Sequence, residues 1–172
     1  TVGTSTEIYD YIKLLFARIG KTISPTSGKE VKKETVSDVI NFVKTLEEGS
    51  KLMLLVPITI NEDRDLKTIL HVLEQQGYAR IKYKNSIIRI NEFPINTYTN
   101  DPLLLVVDRI ITKSDEDFYN RLADAIQTAF FEGKGICLLE NIGTGATQEF
   151  SNKFELDGIS FLEPNTHFFS FN

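Results

Sequence analysis

Cysteine is nearly absent: Cys137 is the one thiol among 172 residues. It cannot close an internal disulfide, which removes the disulfide-scaffold class and fits a reducing cytoplasm. It lies in the apolar run Gly135-Ile136-Cys137-Leu138-Leu139, with no base nearby in sequence to activate it, and reads as a buried, inert thiol. Long apolar runs are missing as well. None approaches the ~20 residues that span a bilayer, so no membrane partner is expected. Basic charge is not in excess: 19 Lys and Arg stand against 24 Asp and Glu, a net charge of −5. That balance argues against a general nucleic-acid-binding surface and leaves room only for a local basic patch. Nucleotide chemistry lacks its signature, Gly-x-x-x-x-Gly-Lys-Ser/Thr. Gly133-Lys134-Gly135 and Gly143-Thr144-Gly145 do not match it and read as turns, so no ATP hydrolysis is expected. No Ser-His-Asp set or carboxylate pair emerges from spacing. His71 falls within a helix as a surface or boundary residue, and His167 suggests no catalysis alone. An alternative class, a small-ligand-binding or hydrolytic domain using the Gly143–Gly145 loop, suffers from having no nucleophile–base arrangement. The opening also lacks a Met, a signal peptide and a targeting motif, and reads as the interior of a longer polypeptide.

What is present describes a soluble globular chain with one ordinary-sized core: 41% hydrophobic and 25% charged residues. Thr4 and Glu7 have capping-box spacing. Ile8, Ile12, Leu15 and Ile19 follow as one helical stripe, with Gly20 as the stop. A second helix carries Val36, Val39, Ile40, Val43 and Leu46 and closes at Gly49. A third runs from about Leu66 to Gln76, with Gly77 as its stop. A fourth begins at Ser114, with Asp117 three residues on, buries Phe118, Leu122, Ala125, Ile126 and Ala129, and ends at Gly133. Leu52 to Ile60 is a nearly continuous apolar run, the mark of a central strand buried on both faces. Tyr78 to Lys84 and Ile87 to Asn91 form a hairpin around Asn85-Ser86. Leu103 to Thr112, Gly135 to Glu140 and Phe150 to Leu156 complete the strands. Without strict βαβ alternation, the fold class is α+β: helices packed against one mixed or mainly antiparallel sheet. Polar stretches mark off a flanking segment 1–33, a compact body 34–152 and a second flank 153–172.

The informative polar pattern is on the hairpin. Arg80, Lys82 and Lys84 alternate and so share one strand face, while Ala79, Ile81 and Tyr83 share the other; Arg89 follows on the return strand. A solvated edge that discourages strand-to-strand pairing is one reading, and a docking surface for an acidic partner is the other. Arg109 interrupts an otherwise apolar strand beside Asp108. The two point to opposite faces, so Arg109 is either an ion-pair partner within the fold or an exposed anchor.

The opening TVGTSTEIYDYIKLLFARIG resembles a segment of the UvrA family, the damage-recognition ATPases of the excinuclease ABC system. So do Leu162-Glu163-Pro164 and Phe169-Ser170-Phe171-Asn172 near the far end, and Lys51 to Ile58 and Val107-Asp108-Arg109 between them. The resemblance runs through all 172 residues in one register. It implies a module that binds UvrB through basic residues, a role it carries to Arg80 and Arg109, with Lys82 and Lys84 beside them. It further implies a full-length bacterial cytoplasmic ATPase that is dimeric and surveys DNA in nucleotide excision repair. ATP with Mg, zinc and the main DNA contacts are expected elsewhere in that protein, with no cofactor and no catalysis in this chain; segments 1–33 and 153–172 would be a stalk. One departure stands out. Where the family carries two Cys-Pro-x-Cys-Gly sequences, this chain has Ser24-Pro25-Thr26-Ser27-Gly28 and Phe154-Glu155-Leu156-Asp157-Gly158. With Ser24, Ser27, Phe154 and Asp157 at the thiol positions, a structural zinc site has lost its ligands, and packing and hydrogen bonds are expected in its place.

Overall fold

Five successive residues, Leu52 to Val56, are buried in strand β1 (Lys51–Pro57), so this strand has neighbours on both edges and cover on both faces. A computed structural model describes residues 7–60, 65–99 and 101–163. The chain divides into two units, one formed by Glu34–Asn152 and the other by Thr1–Lys33 with Lys153–Asn172.

In the larger unit, β1 is joined by β2 (Arg80–Tyr83), β3 (Ser86–Arg89), β4 (Leu103–Ile111), β5 (Ile136–Asn141) and β6 (Thr147–Ser151). The order is β3-β2-β4-β1-β5-β6, and every neighbouring pair is antiparallel. The α+β expectation holds. Helices α2 (Val36–Lys44), α3 (Leu66–Gln75) and α4 (Glu116–Glu132) contribute Val39, Leu70, Leu122 and Ile126 to one apolar cluster. Leu52, Leu54, Ile81, Leu105 and Leu139 of the sheet join them there. The opposite face holds a small second cluster of Met53, Leu55 and Val106, flanked by Leu104 and Leu138. A bulge interrupts the β1–β4 register between Leu54 and Leu55, which bends the strand and increases its local twist.

The helix starts follow from side-chain caps. Thr35 and Asp38 form a reciprocal capping box on α2, and Asp65 caps α3 through the Thr68 amide. The fourth helix starts one residue later than the spacing predicts. Asp115, not Ser114, is its N-cap and accepts from the Phe118 amide at 2.7 Å. The hairpin turn also shifts: Tyr83 faces Ser86, so Lys84 and Asn85 make the turn, with Lys84 in the left-handed region at φ 54°. The strand expected over Phe150 to Leu156 is broken, β6 stopping at Ser151 and a separate β7 (Glu155–Leu156) lying in the other unit.

In the smaller unit, α1 (Glu7–Ile19) is amphipathic but has no buried residue, and Ile8, Ile12, Leu15 and Ile19 are all exposed. Thr4 of the expected capping box lies outside the described residues. Gly20 is required where α1 ends, because a Cβ there would stand 2.3 Å from the Phe16 carbonyl oxygen. A bridge pairs Ile23 with Glu30, and β7 pairs with β8 (Ile159–Ser160) around Asp157 and Gly158, both at positive φ. Among the described residues, no helix is long and apolar enough to cross a membrane.

Candidate functional site

The sheet face opposite the helices collects the basic residues. Lys82 stands beside Leu104 in register, and Arg109 beside Met53. Leu104 and Met53 belong to the cluster on that face, and partners directly opposite on neighbouring strands point the same way. Arg80, two residues before Lys82, therefore shares it, as does Arg89 opposite Arg80. Continuing the β2–β4 register places Arg80 level with Val106, three residues from Arg109 along β4. The two Cα atoms are thus about 11 Å apart from strand geometry, beyond the Debye length of about 8 Å at physiological salt. Mutual repulsion between them is correspondingly small.

The four cations differ in what holds them. Arg80 and Arg109 are both exposed, and neither has an ion-pair partner among the described residues. Arg109 keeps its guanidinium free because the Asp108 carboxylate turns to the helical side. There it accepts from Arg121 Nη2 at 3.1 and 3.3 Å, and it also takes the Arg109 backbone amide at 2.7 Å. Lys82 is largely buried and forms an ion pair with Glu140 of β5. Lys84 leaves the strand face altogether: in the turn, its ammonium lies 3.1 Å from Asp101 and over the Tyr83 ring. Asp101 in turn accepts from Thr99 Oγ1 at 2.6 Å and Tyr83 Oη at 3.2 Å. The Thr99 and Lys84 hydrogen bonds hold its carboxyl below the usual aspartate value, and the Asp101 hydrogen bond raises the Lys84 ammonium. The expected row of three cations on one strand face is therefore Arg80 and Lys82, with Arg89 opposite. Beside Arg109 is a hollow of about 420 Å³ walled by Ile111, Phe118 and Leu122.

Glu140 and Asp101 were not legible as partners of these lysines. Glu140 sits two residues after Leu138, so strand parity puts it on the same face. Its pairing with Lys82 joins residues 58 positions apart, and no local pattern announces that.

Ser24, Ser27 and Asp157 form a second constellation. Ser24 Oγ and Ser27 Oγ both donate to Asp157 Oδ2 at 2.5 Å, and these bonds hold the Asp157 carboxyl below its ordinary value. Ser24 is fully buried. Phe154 contributes no donor side chain; its carbonyl accepts from the Phe161 amide at 2.9 Å. Two hydroxyls already spent on one carboxylate, with a phenyl group as the fourth member, do not fit zinc. Among the described residues no group of three or more His, Cys, Asp or Glu could hold a metal ion.

The Gly143–Gly145 loop closes the β5–β6 hairpin on itself. Asn141 Oδ1 accepts from the Gly143 and Thr144 amides at 2.9 and 3.3 Å, and the Asn141 carbonyl accepts from the Gly145 amide at 2.7 Å. The amides that would cradle a phosphate are engaged within the turn. His71 is exposed and 3.2 Å from Gln75 Nε2; His167 lies outside the described residues. Burial, then Glu34 and Glu149, push the Cys137 thiol up to about 12, the opposite of what a nucleophile needs.

Comparison with known proteins identifies the unit that carries this sheet. The family described as UvrA interaction domain matches residues 34–143. The chain belongs to the UvrA interaction-domain family. UvrABC system protein A of Methanothermobacter thermautotrophicus is 33% identical over 177 residues, covering 100% of this chain and 18% of that protein. The same-named proteins of Mesorhizobium japonicum and Thermus thermophilus are 35% and 30% identical, each again covering the whole chain. The chain thus spans about a fifth of the length of the curated relatives it matches, 18–20%. The family match begins at Glu34 and includes Arg80, Lys82, Lys84 and Arg109.

Proposed function

We propose that this chain is the UvrB-binding module of a UvrA-type DNA damage-recognition ATPase acting in nucleotide excision repair. Arg80 and Arg109 are the anchors for an acidic surface of UvrB. The observation that carries the reading is the pair of exposed guanidiniums on the sheet face opposite the helices, unpaired among the described residues, within the segment matched by the UvrA interaction domain. Arg suits the task because its planar fork grips a carboxylate through two hydrogen bonds. Lys82 and Lys84 flank the anchors, but their charges are largely answered by Glu140 and Asp101. The module itself is non-catalytic and needs no cofactor. ATP with Mg, zinc, dimerisation and the principal DNA contacts belong to other parts of the full-length cytoplasmic protein.

The test is capture of purified UvrB by the chain, with and without the double reversal R80E/R109E. Retention by the wild type and loss by a folded double variant support the assignment. Equal retention by both removes these arginines from the interface. Two further arms address other classes: binding to DNA that falls steeply with salt would favour direct nucleic-acid contact, and a thermal shift with nucleotide would favour a ligand site.

A further inference from the structure

The Lys82–Glu140 pair is longer-range than a sheet normally allows. In the order β2-β4-β1-β5 the two residues are three strand steps apart, roughly 14 Å at ordinary spacing. They are also offset along the strands. Lys82 is level with Leu104 and Pro57, whereas Glu140 is level with Met53; those four residues add about 13 Å. In a flat sheet their Cα atoms would be about 19 Å apart. The two extended side chains, with a hydrogen-bond gap between their ends, bridge at most about 14 Å between Cα atoms from bond lengths near 1.5 Å, yet their charged ends are in contact. The sheet must therefore be concave along this diagonal. The bulge between Leu54 and Leu55 lies on that path and supplies extra twist. The burial of Met53, Leu55 and Val106 agrees, since the buried apolar side chains of α2, α3 and α4 pack in the other cluster.

We propose that Lys82 and Glu140 are positioning residues that hold the open face concave and thereby set the spacing and aim of Arg80 and Arg109, rather than contacts for the partner. The inference rests on the UvrB-docking reading above. Arg80 is two residues from Lys82 on β2, and Arg109 and Glu140 flank Met53 on either side in register. A change in the diagonal therefore moves both anchors. Met53, the only methionine in the sequence, reports the state of the face without any partner.

The experiment measures Met53 oxidation by dilute hydrogen peroxide and UvrB affinity in the intact chain. K82E and E140K each place like charges in one partly buried spot. Each is expected to oxidise Met53 about tenfold faster and to bind UvrB about tenfold more weakly. The exchange K82E/E140K restores the pair and returns both quantities to within about twofold of wild type. Where a single reversal does not fold, K82Q replaces it. K82Q, which leaves Glu140 without its partner, is likewise expected to expose Met53 and to weaken UvrB binding. An exchange that leaves Met53 unprotected overturns the inference outright. An exchange that protects Met53 but fails to bind UvrB makes Lys82 a direct contact and overturns the positioning role. If R80E/R109E binds UvrB like wild type while Met53 still follows the pair, the docking reading has failed. The positioning role falls with it, and only the curvature remains.

Discussion

Asp108 and Arg109 are consecutive, oppositely charged and unpaired with each other through their side chains. The strand alternation that separates them was readable from sequence; the Arg121 that claims Asp108 from α4 was not, because it is set by how a helix crosses a sheet. The same split appears at Ser24, Ser27 and Asp157. The family resemblance draws attention to these positions, but no local pattern shows that the two hydroxyls meet at one Asp157 oxygen. This cluster gives a prediction with a definite sign. The Asp157 carboxyl is lowered by the Ser24 and then the Ser27 hydrogen bonds from an ordinary value of 3.8. Its contribution is present in full above that value and lost as the pH falls through the lower folded value. D157N should therefore melt below wild type at neutral pH, and the gap should narrow as the pH drops below about 3.8. A gap independent of pH would show that the charge is not what the serines recognise. Cys137 offers a second prediction at this scale. With its thiol at about 12 and fully buried, alkylation at about pH 8, below even an unperturbed thiol's value, should follow the global unfolding curve in urea. Rapid labelling of the native chain would contradict its placement beneath the helices.

The elements were legible where local chemistry decides them and blurred where it does not. Four helices and the apolar strands stand out by periodicity, and the helix ends follow short polar side chains. Two errors are of one residue and share a cause, two adjacent polar groups competing for the same role: Ser114 and Asp115 at α4, and Asn85-Ser86 and Lys84-Asn85 in the turn. The strand expected over Phe150 to Leu156 is a larger miss, because the apolar residues there belong to two separate units. Removing the reciprocal cap at α2 with T35A should cost about 1 kcal/mol in urea denaturation. No measurable change would mean that the cap is redundant with the packing of Val39 and Val43. Leu122 on α4 is almost completely buried against the sheet, and L122A should cost about 2–5 kcal/mol with an unchanged fold. A loss under about 1 kcal/mol would place α4 outside the principal core.

In the larger unit, the antiparallel sheet carries its helices on one side and a small apolar cluster ringed by charged residues on the other. No local pattern could have shown that face, since its exposed arginines come from β2 and β4 and its internal ion pair from β2 and β5. Family membership rests on residues 34–143 together with relatives that align over the entire chain. The proposed site rests on the two exposed arginines of the sheet face opposite the helices that have no ion-pair partner among the described residues. Those two lines meet at Arg80 and Arg109. Titration calorimetry of UvrB into the intact chain and into folded R80E/R109E tests that meeting point most directly. Saturable binding to the wild type and a loss of at least about a hundredfold in the double reversal are expected, in line with truncating charged anchors at a desolvated interface; equal affinities would remove both arginines from the UvrB contact.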